Sequence, residues 1–172
     1  LRDENLAPKS PALARADAQY GVSRWGDGLI TILENGHIGL LHPNRPDDVP
    51  TDLMSVIENL DARGIAAPIL LRVSDFISWR IEQINEAFRD AISELDYRGT
   101  YQGVFPVKVN QQAQVIERIV AEGRQYDFGL EVGSKAELLI ALSHDTGSKA
   151  ALICNGVKDE EFICLALMSQ RL

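Results

Sequence analysis

The chain has 172 residues, 45% hydrophobic and 24% charged, fractions typical of an ordinary soluble globular protein and not of a disordered or fibrous one. Lys+Arg 17 stand against Asp+Glu 25, a net charge of -8 with no dense basic run. That argues against a nucleic-acid partner, because phosphate backbones are held by clustered cations. No stretch approaches the ~20 consecutive apolar residues of a membrane-spanning helix, and the opening LRDENLAPKSPALARADAQYG lacks the apolar core of a signal peptide. The chain begins at Leu1 and not at Met, which suggests processing or truncation. Cys154 and Cys164 cannot make a disulfide framework, so both are expected to be reduced and the compartment to be cytoplasmic.

Residues 1–19 are polar, carry Pro8 and Pro11, and are expected to form a flexible or loosely docked arm, with a short helix over Ala12–Ala18. Residues 20–50 form a hairpin and linker. The apolar runs Leu29–Leu33 and His37–Leu41 flank Glu34-Asn35-Gly36, and Asn-Gly supplies the positive φ angles of tight hairpin turns. Pro43, Asn44, Pro46, Asp47, Asp48 and Pro50 exclude regular structure in the linker. From residue 51 to 172 a repeating pattern follows. Thr51 or Asp52 caps a helix bearing Leu53, Val56, Ile57 and Leu60, and Gly64 ends it. Ile69–Val73 reads as a buried strand, and Ser78–Asp96 as a helix with Ile81, Ile84, Phe88, Ile92 and Leu95 on one face. Tyr101–Val109 reads as a strand, and Gln111–Glu122 as a helix with Val115, Ile116, Ile119 and Val120 inward. Phe128–Val132 is a strand; Ser134–Ser143 is a helix with Ser134 and Glu137 in a capping-box pattern. Ala150–Cys154 is a strand and Asp159–Arg171 the last helix.

Short strands that are apolar on both faces and alternate with helices belong to a parallel sheet covered by helices. The fold class is therefore α/β, either an open doubly wound sheet or a (β/α)8 barrel; a barrel needs about 250 residues, so this chain would be its first half. Side chains alternate faces along a strand. In GVFPVKVNQQ, Phe105, Val107 and Val109 share one face, and Val104, Pro106, Lys108 and Asn110 the other. Lys108 would then point inward near the strand's C-terminal end, where active sites of this architecture collect. On the next strand Glu131 falls on the same interior side; adjacent strands lie about 4.8 Å apart, so the two can pair. A buried lysine with a depressed pKa suits Schiff-base chemistry, since the neutral amine attacks an aldehyde and the imine removes the cost of a buried charge. Alternation alone leaves open a plainer alternative, a rim lysine paired with an acid.

PVKVNQ, then LEVGSKAEL, then ICNGVKD resembles the fold-type III pyridoxal-phosphate decarboxylases, and within them most closely the biosynthetic arginine decarboxylases. Val132 stands where the family has a small residue and Val157 where an aromatic one is common. The segment YGVSRWGDG…ENGHIGLLHP resembles the family's opening through Tyr20, Trp25, Gly26, Gly36 and Pro43. The resemblance implies a parallel (β/α) barrel of the alanine-racemase-like PLP type, with its first about four β/α units here, preceded by a β-hairpin arm. It implies that Lys108 carries pyridoxal 5'-phosphate as an imine, that Glu131 and Glu137 bind the cofactor, and that Mg2+ accompanies it. It also implies L-arginine as substrate, agmatine and CO2 as products in polyamine biosynthesis, and a family-type dimer with shared sites. The phosphate loop, the acid at the ring nitrogen, the proton-donating cysteine and the substrate-selecting acids belong to later segments in that family. This chain alone is accordingly expected to be inactive. The alternatives are another fold-type III protein (a diaminopimelate or ornithine decarboxylase, or a PLP carrier) and a non-catalytic decoy subunit.

The remaining candidates have plain explanations. Cys154 and Cys164 read as small buried apolar residues. His37, His42 and His144 have no metal-ligand spacing and read as structural or exposed. Arg72 shares an inward parity with Leu70 and Ser74; it would balance an interior acid or make a rim salt bridge. Asp75 lies near that strand's end and receives no role. Gly129, Gly133 and Gly156 either cradle phosphate or serve turns. Trp25 and Trp79 read as packing anchors. Asp159, Glu160 and Glu161 complement a helix dipole.

Overall fold

The computed structural model describes residues 10–43, 45 and 47–169. Its contacts divide the chain into two compact units, Leu1–Phe76 and Ile77–Leu172, a division that does not coincide with the expected boundaries near 19 and 50.

In the first unit, residues 1–9 of the expected arm lie outside the described residues. From Ser10 the chain is helical: α1 (Pro11–Tyr20) opens with Pro11 in its first turn and the Ser10 hydroxyl accepting the Leu13 N–H. Leu13 is buried with Val22, from the short α2 (Val22–Trp25), and with Ile32. The hairpin forms as β1 (Ile30–Ile32) and β2 (Ile38–Leu40), antiparallel, with Ile30 opposite Leu40 and Ile32 opposite Ile38. Within the Glu34-Asn35-Gly36 turn only Gly36 adopts a positive φ, at 85°, and the Leu33 N–H meets the His37 carbonyl at 2.8 Å. The connection is thus the three-residue kind that ends in one left-handed residue, and Asn35 need not leave the ordinary backbone region. Trp25 is 58% exposed, contrary to its expected role as a packing anchor, although its ring N–H donates to the Tyr20 carbonyl.

A third strand, β3 (Thr51–Asp52), pairs with β2 and runs directly into α3 (Leu53–Ala62). Asp52 caps that helix as expected: Oδ1 accepts the Met54 N–H at 2.9 Å and the Ser55 N–H at 3.4 Å. Its Oδ2 also lies 2.9 Å from His37 Nδ1 and accepts from Asn35 Nδ2 at 3.0 Å. One carboxylate therefore ties the hairpin turn to the helix start. The His37 contact first, and the cap N–H groups besides, hold the Asp52 carboxyl down at about 2 against an ordinary 3.8. Gly64 closes the helix with a φ of 79°. Arg45 lies 3.6 Å from Asp75, and His42 contacts Thr51 at 3.1 Å.

The expected strand Ile69–Val73 is absent. These residues have no regular structure, and Leu70 and Leu71 are 75% and 41% exposed. A short apolar run becomes a strand only when a ladder partner takes up its backbone groups, and among the described residues β4 pairs with β5 alone. With the strand goes the inward parity assigned to Arg72 and Leu70. Ser74 instead begins α4 (Ser74–Glu94), four residues ahead of the expected start at Ser78. Ile81 and Trp79 of α4 are buried, whereas Ile84 and Phe88 are partly exposed, so its apolar stripe is covered only along part of its length.

The second unit is built on a three-stranded parallel sheet in the order β4-β5-β6: β4 (Val104–Pro106), β5 (Gly129–Val132) and β6 (Leu152–Cys154). The helices α5 (Ala113–Gly123) and α6 (Lys135–Leu142) connect them, and α7 (Glu160–Ser169) follows. The expected residue Arg171 at the end of that last helix lies outside the described residues. Among the described residues a closed barrel is not seen; three of the four expected strands are. The core holds Val107, Leu130 and Val132 against Ile116 and Val120 of α5, Leu138 and Ala141 of α6, and Phe162 of α7. A second cluster holds Ile81, Val115, Ile119 and Phe128. The four apolar positions read along α5 are all buried. Both cysteines are exposed, a correction to their expected burial: Cys154 sits on edge strand β6, none of whose residues is covered, and Cys164 on an uncovered face of α7.

Gly129 is explained by a close backbone approach and not by phosphate. A Cβ there would lie 1.9 Å from the Ala151 carbonyl oxygen. Gly129→Ala is expected to abolish the cooperative thermal transition of this unit, because the clash is with rigid backbone. In the first unit, the lowered Asp52 carboxyl stabilises the fold above its unfolded-state value. That stabilisation is lost as pH falls from 3.8 through about 2. Asp52→Asn should flatten the decline in stability across that window, read by acid titration of unfolding.

Candidate functional site

The site forms where β4 and β5 end. Pro106 is opposite Glu131 in the ladder, and this is the last β4 pair. Proline has no N–H to carry the ladder further, and the chain turns into a 3₁₀ turn over Val107–Val109. The expected strand to Val109 thus stops short, and Val109, expected on the covered face, is 69% exposed. Val107 is fully buried in the core, and Lys108 follows it outward. On β5 the alternation holds: Leu130 and Val132 pack against the helices, and Glu131 between them faces the other way.

Lys108 and Glu131 meet, with Nζ 3.6 Å from Oε1. The two ends differ in surroundings. The Lys108 side chain is 59% exposed, whereas that of Glu131 is 8% exposed. The expectation of an enclosed lysine is therefore corrected: the strand ends before residue 108, and the amine stands at the rim. The acid is the buried partner, and its Oε1 has no hydrogen bond. A buried carboxylate oxygen ordinarily has several donors. Here it has one ammonium at ion-pair distance and a vacant acceptor position.

Glu137 is placed differently. The expected capping box is half made: the Ser134 hydroxyl accepts the Glu137 N–H at 3.3 Å. The Glu137 carboxylate does not return to Ser134; its Oε2 accepts the Gly133 N–H at 2.8 Å. It thus serves the backbone two residues beyond Glu131. Sequence reasoning missed Lys158, whose Nζ lies 3.5 Å from the Gly133 carbonyl and 4.1 Å from the Phe162 ring centroid. Its place in the NGVKD segment was the available signal. The acids expected to serve only the helix dipole also have a partner. Asp159 caps Phe162 N–H at 2.9 Å and pairs with Lys135 at 2.9 Å, while Glu161 also contacts Lys135. These contacts raise the Lys135 pKa, Glu161 contributing most, and Lys135 lowers that of Asp159. Among the described residues no group of three or more His, Cys, Asp or Glu is arranged to hold a metal. None of the described helices is long and apolar enough to cross a membrane.

Comparison with known proteins gives a consistent family. The profile described as pyridoxal-dependent decarboxylase, pyridoxal binding domain, matches residues 81–171. The biosynthetic arginine decarboxylase of Prochlorococcus marinus (strain MIT 9303) is 45% identical over 170 residues, covering 99% of this chain and 26% of that protein. The Geobacter sulfurreducens protein of the same name is 43% identical over 153 residues, covering 89% of this chain and 24% of that protein. The crystal structure of the biosynthetic arginine decarboxylase of Campylobacter jejuni superposes with a TM-score of 0.81 at 32% identity, over 88% of this chain and 24% of the other. The chain spans about a quarter of the length of the curated relatives it matches.

The vacant Glu131 oxygen yields a stability test. Burying a carboxylate with so few donors costs free energy that an apolar side chain of similar volume would not. Glu131→Leu should therefore leave the melting temperature unchanged or raised. A drop of several degrees would show that Glu131 is a structural partner of Lys108 and not a residue kept for a ligand.

Proposed function

The chain belongs to the pyridoxal-dependent decarboxylases through their pyridoxal-binding domain, and we propose that Lys108 is the amine that takes pyridoxal 5'-phosphate in an enzyme converting L-arginine to agmatine and CO2. The observation that carries this reading is the Lys108–Glu131 pair with its vacant buried oxygen. The family likeness and the similarity to arginine decarboxylases support the choice of cofactor and substrate.

The residues fit the cofactor at its aldehyde end. Lys108 at the rim is open to an incoming aldehyde, and a Schiff base is the bond its amine would make. Glu131 is buried and held by β5, so its Oε1 offers a fixed acceptor for a proton on Lys108 Nζ or for a donor of the bound ring. When bound, the cofactor supplies an electron sink for the electrons left behind by the departing CO2. The core residues Val107, Leu130 and Val132 keep both side chains on the same side of the sheet by filling the other. Magnesium has no comparable fit among the described residues.

The parallel order β4-β5-β6 with a helix between successive strands supports placing this unit in a (β/α) barrel. A homo-oligomer in the cytoplasm, acting in polyamine biosynthesis, completes the proposal for the whole protein. Lys108 and Glu131 account for the aldehyde end of the cofactor and not for its phosphate or for arginine, so the 172 residues by themselves are not expected to release CO2.

Incubating the chain with pyridoxal 5'-phosphate, reducing with borohydride and mapping the peptides tests the assignment. The label is expected on Lys108 ahead of the other lysines and should disappear from that peptide in Lys108→Ala. Labelling spread evenly over Lys135, Lys149 and Lys158, with Lys108 not preferred, would overturn it.

A further inference from the structure

Beyond the β5 strand end, the chain is gripped at three consecutive backbone groups. The Val132 carbonyl accepts the Asn155 N–H at 2.8 Å. The Gly133 N–H donates to Glu137 Oε2 at 2.8 Å. The Gly133 carbonyl has Lys158 Nζ at 3.5 Å. Two of the three partners are charged, and hydrogen bonds with an ionised member are stronger than neutral ones. Both charged partners are themselves anchored. Glu137 is 8% exposed in the first turn of α6, with its own N–H on the Ser134 hydroxyl. Lys158 rests on the ring of Phe162, which is 3% exposed. Strand ends ordinarily fray, and this one carries Glu131 two residues upstream of Gly133.

We propose that Glu137 and Lys158 are positioning residues that clamp Gly133 by its N–H and its carbonyl and thereby hold the Glu131 carboxylate against Lys108. This rests on the reading of Lys108 as the cofactor lysine and assigns Glu137 a task through the backbone, not contact with the cofactor. What Glu137 contributes is an acceptor oxygen aimed at the Gly133 N–H. Glutamine in its place keeps an acceptor of the same length, and alanine does not.

The test follows the rate at which Lys108 is labelled by pyridoxal 5'-phosphate and borohydride across pH, together with amide hydrogen exchange at Gly133. Glu137→Ala is expected to slow labelling at Lys108 about tenfold and to displace its pH profile, while exposed Lys149 labels as before. Glu137→Gln should restore both rate and profile toward those of the unsubstituted chain. Gly133 should exchange faster in Glu137→Ala and not in Glu137→Gln. Lys158→Met, which keeps the packing on Phe162 but removes the donor, should move Lys108 in the same direction by less. Glutamine as damaging as alanine would show that the charge acts directly on the cofactor and would overturn the clamp. So would unchanged Gly133 exchange in Glu137→Ala, or a change at all lysines together, which marks general unfolding. No preferred labelling at Lys108 in the unsubstituted chain would instead remove the parent reading and this one with it.

Discussion

A carboxylate buried between two core residues is the constraint around which the second unit is arranged. Leu130 and Val132 must both face the helices to fill the core, and a strand's two-residue period then leaves Glu131 no choice but the opposite face. That face offers it almost nothing: one ammonium at 3.6 Å and an oxygen without a hydrogen bond. A sequence shaped only for stability would not keep an acid there. The β5 register, the 3₁₀ turn that brings Lys108 back toward it and the grip on Gly133 all act on the position of this one group.

The first unit uses an acid in the opposite manner. Asp52 has several donors, from the α3 cap, from Asn35 and from His37. Its charge is satisfied, its carboxyl lies far below the ordinary value, and it joins a hairpin to a helix. One carboxylate is saturated and the other starved, and this contrast in donors is what the proposed ligand role of Glu131 rests on.

What the sequence revealed depended on how local the causes were. The hairpin at Asn35-Gly36, the Asp52 cap, the Ser134 cap and the buried face of α5 follow from neighbours a few residues apart, and they appear as expected. The pairing of Lys108 with Glu131 was also legible, because two strands in parallel register bring their ends together. Ile69–Val73 failed because its apolar composition says nothing about who supplies a ladder partner. The end of β4 is hidden from the alternation because Pro106 fits the two-residue period while lacking the N–H that would carry the ladder on. Cys154 was misplaced since burial at an edge depends on what lies beside the strand. Lys158 was marked only by its place in the NGVKD segment, because the backbone carbonyl it meets leaves no trace in the sequence.

The turn that carries Lys108 has a mechanical consequence. The residue lies past Pro106, the last β4 residue paired in the ladder, on three residues of 3₁₀ backbone. A side chain mounted there can swing aside and come back without undoing an interstrand bond, while fully buried Val107 next to it stays seated in the core. For the role proposed for Lys108, such a mounting sets an amine that can change partners on a base that stays fixed.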